Sequence, residues 1–194
     1  MKLQFKHQKF QADAAKAVVD VFAGQPYLTP TYMMDRGLED GEQQAIATMD
    51  DFTGWRNERI VPELSDKLIL EHLQKVQRTN QIKPSDKLEG RYNLTIEMET
   101  GVGKTYTYIK TMYELNNYGW SKFIVVVPSI AIREGVYKSF QVTQEHFAEE
   151  YGKKIRFFIY NSAQLTEIDR FASDSSINVM IINSQAFNAR GKDA

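Results

Sequence analysis

METGVGKT, Met98 to Thr105, is the stretch on which the reading of this chain turns. Before it, YNLTIEM alternates apolar Leu94, Ile96 and Met98 with Thr95, Glu97 and Glu99, the period-two pattern of a strand. After it, Ile109, Met112 and Tyr113 recur at helical spacing. Gly101 and Gly103 permit backbone angles that residues with a Cβ resist. Strand, glycine turn and helix in that order make a loop that can hold phosphate. The turn aims successive N–H groups inward, and the new helix adds its positive N-terminal end. Lys104 can then reach the β- and γ-phosphates, and the Thr105 hydroxyl can ligate Mg²⁺. The general pattern G-x-x-x-x-G-K-[ST] has Gly where this chain has Met98. A turn that begins later, at Thr100–Gly101, makes that departure cheap. A chance G-x-G-K-T rarely falls between a strand and a helix in an α/β chain.

Outward from the loop, the same alternation continues. FIVVV is followed by a helical run, then IRFFIY, then a short helix around Leu165, Ile168 and Phe171, then INVMII. Strands that alternate with helices imply right-handed crossovers and a parallel sheet covered on both faces. Glu97 fits such a strand poorly, so either it finds a buried partner or one strand face is open. Upstream, FQADAAKAVVDVFAG carries Ala14, Ala17, Val18, Val21 and Phe22 at three-and-four spacing, and Gly24 stops the helix. Pro26, Pro30, Gly37, Gly41, Gly54 and Pro62 punctuate the next stretch. One helix stands out there, SDKLILEHLQKVQ, with Ser65 as N-cap and Ile69, Leu73 and Val76 on one face. The expected organisation is one partial domain over 1–194. Residues 1–26 form an N-terminal helix, 27–90 an insertion, part acidic loop and part helix, and 91–194 the phosphate-loop core.

The chain has 194 residues, 42% of them hydrophobic, enough for a sizeable core. Its formal charge of -1 points to no class of partner. The distribution is uneven: from Asp35 to Asp66 nine acids face three arginines, net -6, which leaves +5 for the rest. A mildly basic core suits phosphate ligands. The acidic stretch reads as a solvated loop, with a docking surface as the alternative. Cysteine is absent, which excludes disulfides and thiolate metal sites and suits a reducing compartment. His7, His72 and His146 lack metal spacing and read as structural or surface residues. The N-terminus has no apolar signal region, and no window of about 18 apolar residues could span a membrane. The expected location is the cytoplasm.

A loop of the form x-x-T-G-x-G-K-T without the first Gly resembles that of superfamily 2 helicases and translocases. These proteins read adenine through an aromatic–Gln pair opening a helix, which the resemblance carries onto Phe10 and Gln11. A side-chain amide can pair with adenine's N6 amino group and N7, so ATP is preferred over GTP. VVVPSIAIREGV resembles their motif Ia, which makes Ser129 and Arg133 candidates for contact with a DNA backbone. Helix capping by Ser129 is the plain alternative. INVMIINSQAFN resembles motif Ib, with Asn183 and Ser184 where a Thr is common. The wording of IEMETGVGKTYTYIKTMYELN, KFIVVVPSIAIREGV, TQEHF and MIINSQAFN together resembles the Res subunit of type III restriction enzymes. That resemblance implies a RecA-like α/β fold, ATP with Mg²⁺, double-stranded DNA as target and a modification (methyltransferase) subunit as partner. Type I restriction motor subunits are the nearest alternative.

Such motors need an Asp–Glu pair at the end of a core strand. FIVVV runs into Pro128-Ser129, IRFFIY into Asn161-Ser162 and INVMII into Asn183-Ser184, and none qualifies. Glu39-Asp40, Asp50-Asp51 and Glu149-Glu150 read as solvated faces. The expectation is an ATP-binding N-terminal part of a larger ATP-dependent endonuclease, with its catalytic carboxylates beyond Ala194, able to bind ATP weakly without hydrolysis. A small kinase would need an Arg-rich lid, and Arg133, Arg156, Arg170 and Arg190 form no such cluster. A binding module with a vestigial loop is the non-enzymatic alternative.

Overall fold

Four helices build the first of two compact units, which comprises Met1–Leu28, Arg59–Gly119 and Lys138–Lys154. A computed structural model describes residues 5–33 and 54–188. Helix α1, Lys9–Val21, forms where expected; of its expected face Val21 and Phe22 are buried and Ala14, Ala17 and Val18 half-buried, while Ala15, off that face, is buried as well. Helix α2, Asp66–Thr79, is capped as expected: the Ser65 hydroxyl accepts the Leu68 N–H at 3.4 Å. Asp66 in its first turn and Arg78 in its last suit the helix dipole. Helix α3, Lys104–Leu115, starts directly at the lysine of the loop and buries Ile109, Met112 and Tyr113. These were the three residues of the expected face. The C-terminal half of α4, Ile130–Tyr151, contributes Phe140 and Phe147, both essentially inaccessible. Burial of each such ring is worth about 2–3 kcal/mol.

The expected strand at Leu94–Met98 is not formed: among the described residues the segment pairs with no other. A strand is defined by its ladder, and alternation alone supplies no partner. Glu97 is solvent-exposed there, and with no strand formed the choice between a buried partner and an open strand face does not arise.

The second unit comprises Thr29–Glu58, Trp120–Tyr137 and Ile155–Ala194. β1, Thr31–Met33, pairs antiparallel with β2, Gly54–Arg56, and Tyr32 meets Trp55 edge-on at 5.4 Å. β3, Lys122–Val127, β4, Ile155–Ile159, and β5, Ile177–Asn183, form a parallel sheet in the order β3-β5-β4. The central strand is covered on both faces: all of INVMIIN but Met180 are buried, the polar Asn178 and Asn183 included. Helix α5, Leu165–Ser173, lays Phe171 against Phe158 of β4 at 6.0 Å. Tyr137 of α4 meets Phe157 at 5.2 Å. Helix α6, Ser184–Asn188, continues from β5. The architecture is α/β, with a parallel sheet and flanking helices as expected.

Asn57 holds the start of β3. Its Oδ1 accepts the Ser121 and Lys122 N–H groups at 2.8 and 2.9 Å, and its Nδ2 donates to the Lys122 carbonyl at 2.8 Å. The amide thus does the work of a neighbouring strand for two residues. Glu39-Asp40 and Asp50-Asp51 lie outside the described residues, as does most of the acidic stretch.

Candidate nucleotide-binding site

Gly103 is the N-cap of α3, at φ 91° and ψ 42°, and Gly101 precedes it at φ 85°. Both angles are left-handed, as a turn that folds its N–H groups inward requires. No side chain caps the helix. The first backbone bond is Thr107 N–H to the Gly103 carbonyl at 3.0 Å. The N–H groups of Lys104, Thr105 and Tyr106 find no acceptor among the described residues. Those free donors at a helix start fit a phosphate group. Lys104 is exposed and makes no ion pair among the described residues. Thr105 is half-buried beside it. Among the described residues no group of three His, Asp or Glu side chains could hold a metal ion. A nucleotide's Mg²⁺ would find the Thr105 hydroxyl as its ligand in this turn.

Helix α1 packs along α3 and carries Gln11 to the loop. The Gln11 Nε2 donates to the Val102 carbonyl at 2.8 Å, across 91 residues of sequence. Gln11 is buried, and one of its two N–H donors is used in this bond. An amide carries a second N–H and an oxygen besides. Phe10, next to it, is 47% exposed. From Phe10 to Val102 runs an apolar cleft of about 730 Å³, lined by Val18, Leu73, Ile82 and Leu94 among others.

The other expected contacts sit in the second unit. The Ser129 hydroxyl accepts the Ile132 N–H at 3.3 Å, which makes it the cap of α4. Arg133 donates to Asn183 Oδ1 at 3.5 Å and to Glu134 at 2.9 Å. Asn183 is buried at the end of β5, and Ser184 opens α6. Arg133, Asn183 and Ser184 are thus brought together, while Ser129 is engaged with its own helix.

One polar cluster was not foreseen. Tyr106 in the first turn of α3 meets His146 Nε2 of α4 at 2.8 Å. One turn on, Lys110 pairs with Glu150 at 2.5 Å and donates to the Tyr151 hydroxyl at 2.6 Å. The Tyr151 hydroxyl donates to Glu114 at 2.6 Å. Glu150 was expected to be solvated. Its side chain is instead 24% exposed and held by an ammonium that is 11% exposed. The i,i+4 spacings Lys110–Glu114 and His146–Glu150 are visible in sequence, but their meeting across two helices is not. Burial and the charge of Glu150 push the Tyr106 hydroxyl up to about 12, so it remains a neutral donor.

The model of the family described as "Type III restriction enzyme, res subunit" matches residues 42–193. The chain belongs to this family. Its domain is RecA-like, which agrees with the parallel sheet and the loop-to-helix start of α3. The chain is 32% identical over 148 residues to the EcoP15I Res subunit of Escherichia coli, covering 66% of this chain and 15% of that protein. It is 35% identical over 104 residues to the EcoPI Res subunit of Escherichia phage P1, covering 51% of this chain and 11% of that one. The StyLTI Res subunit of Salmonella typhimurium is 33% identical over 123 residues, covering 54% and 12%. The chain therefore spans less than a sixth of the length of these Res relatives. No helix among the described residues is long and apolar enough to cross a membrane.

Proposed function

We propose that this chain holds ATP with Mg²⁺, its phosphates on Thr100, Gly101, Val102, Gly103, Lys104 and Thr105 and its base between Phe10 and Gln11. The observation that carries the reading is the Gln11–Val102 bond, which joins the base-reading helix to the phosphate loop. A preference for ATP over GTP follows, because Gln11 offers its remaining N–H and its oxygen to the base. Lys104 supplies the counter-charge to the β- and γ-phosphates, and the free N–H groups of Lys104, Thr105 and Tyr106 cradle them. Mg²⁺, held by Thr105 and phosphate oxygens, neutralises charge on the nucleotide.

The whole protein is read as the Res subunit of a type III system, an ATP-dependent DNA translocase and endonuclease that works with a modification subunit in the cytoplasm. Residues 1–194 form part of its first motor domain, with 1–26 as the base-reading helix, 27–90 as an insertion and 91–194 as the loop-bearing core. Arg133, Asn183 and Ser184 are the residues for a DNA backbone, and Ser129 shapes the helix start that presents Arg133. The three strands of the parallel sheet run into Pro128, Tyr160 and Ser184, none of them acidic. This chain is accordingly expected to bind ATP weakly and not to hydrolyse it.

Calorimetry with ATP and Mg²⁺ tests the reading. Lys104→Ala should abolish binding, and equal affinity in the variant removes the loop from the site. Gln11→Ala should erase the ATP-over-GTP preference, and an unchanged ratio removes Gln11.

A further inference from the structure

Neither helix of the nucleotide site is capped by a side chain. Gln8 precedes α1 with no side-chain bond, and Gly103 precedes α3 with none. Both helix starts nevertheless need fixing, because Gln11 and Lys104 sit within their first turns. The residues that do this converge on one ring. Phe5 and His7, in the lead-in to α1, lie 5.1 and 5.5 Å from the His146 ring. Tyr106, two residues beyond Lys104, bonds to the His146 Nε2 at 2.8 Å, with ring centres 5.6 Å apart. Phe5 also meets Tyr106 at 6.0 Å. His146 itself is fixed from below by Phe147, at 5.1 Å, in the core of α4.

We propose that His146 is a positioning residue that couples the two halves of the nucleotide site, holding the lead-in of the base-reading helix and the first turn of the phosphate-loop helix to one side chain. The proposal rests on the nucleotide reading above and adds the element that sets the distance between its halves. The Gln11–Val102 bond joins the two halves directly, and His146 joins them a second time through Phe5, His7 and Tyr106. Displacement of either helix start by one ångström would break the Gln11 bond, so the ring acts on affinity and on base choice together.

The surroundings as a whole favour the neutral ring. Burial holds His146 below the usual imidazole range. Glu150 and Glu149 of α4 pull the other way, while His7 of the lead-in and Lys110 of α3 reinforce burial. A neutral ring can accept the Tyr106 hydroxyl at Nε2, which requires its proton on Nδ1.

Two measurements on the 194-residue chain test this. Hydrogen exchange reads the helix starts without any ligand. In His146→Ala, the hydrogen-bonded amides of 11–13 and of 107–109 should exchange faster together, by about tenfold, with those of α2 unchanged. Tyr106→Phe deletes only the hydroxyl, so it should speed 107–109 by about threefold and spare 11–13. His146→Gln keeps an acceptor but no ring, and should restore 107–109 alone. Faster exchange in only one segment of His146→Ala, or an equal rise in α2, overturns the coupling. Titration with ATP and with GTP, Mg²⁺ present, is the second measurement. His146→Ala should bind ATP about tenfold more weakly and lose ATP preference. Lys104→Ala in parallel separates the two claims. If Lys104→Ala binds like the unaltered chain, the nucleotide reading fails. If it loses binding while His146→Ala keeps both affinity and preference, only the coupling fails.

Discussion

Gly103→Ala is the substitution whose cost the structure resolves into parts. Gly103 stands at φ 91°, where a Cβ-bearing residue is strained. That strain is worth about 1–2 kcal/mol. A Cβ there would also approach the Gln11 Nε2 closer than the 3.0 Å that real Cβ atoms keep. The amide must swing away and give up the Val102 carbonyl, which costs about 0.5–1.5 kcal/mol more. The expected loss of stability is therefore about 1.5–3.5 kcal/mol. Gly101→Ala is the internal reference. Gly101 has a similar angle, φ 85°, and nothing within 4 Å of an added Cβ, so only the strain of about 1–2 kcal/mol should appear. Denaturant unfolding of both variants gives the difference. Repeating the pair in a Gln11→Ala background completes a double-mutant cycle. There the obstructing amide is gone, and Gly103→Ala should cost no more than Gly101→Ala. If the two glycine variants match in the unaltered background, or the gap survives in Gln11→Ala, then Gln11 does not press on the loop.

Three further outcomes follow from the polar contacts. Glu150→Gln weakens the partner of a nearly inaccessible ammonium at Lys110 and should cost about 1–3 kcal/mol in the same unfolding assay, a cost that Glu145→Gln on the exposed face should not share. His146 is depressed in the folded chain by burial, so the unfolded chain takes up its proton first. Stability should accordingly fall as pH drops below about 6.5, then level off below the folded value, and His146→Gln should flatten that limb of a thermal-melt series. Burial works against charge on Asp174, yet the Ser176 backbone and hydroxyl and the Arg156 guanidinium outweigh it and hold the carboxyl down to about 2. Its contribution is present above the unfolded value near 3.8 and is lost as pH falls through that window, so acid unfolding of Asp174→Asn should lack the steep step between pH 4 and 2.

Much of the fold was legible because its signals are local. Helix α2 could be placed from Ser65 and a single apolar stripe, since a cap and a 3.6-residue period act within a few residues. The strand β5 could be read from INVMII because burial on both faces favours a mostly apolar, β-branched run. The glycine turn into α3 needed only Gly101 and Gly103 ahead of a helical run, because left-handed angles and a helix start are properties of consecutive residues. Leu94–Met98 marks where such reasoning ends. Its alternation is local, but a ladder partner is not, and none of the described residues supplies one.

Sequence by itself determined the main helices and the three parallel strands β3, β4 and β5, but not the state of Leu94–Met98. Only the tertiary structure decided which distant side chains meet: Gln11 with Val102, Asn57 with the start of β3, Arg133 with Asn183, and Tyr106 with His146. The reason is physical. Backbone angle preferences and hydrophobic period are fixed by neighbours in the chain, whereas a hydrogen bond across 91 or 40 residues exists only once packing has brought two helices to a set distance and rotation. Glu150 shows the difference most plainly. By its neighbours it is one more acid on a charged helix end, and by its surroundings it is the anion that lets Lys110 stay buried.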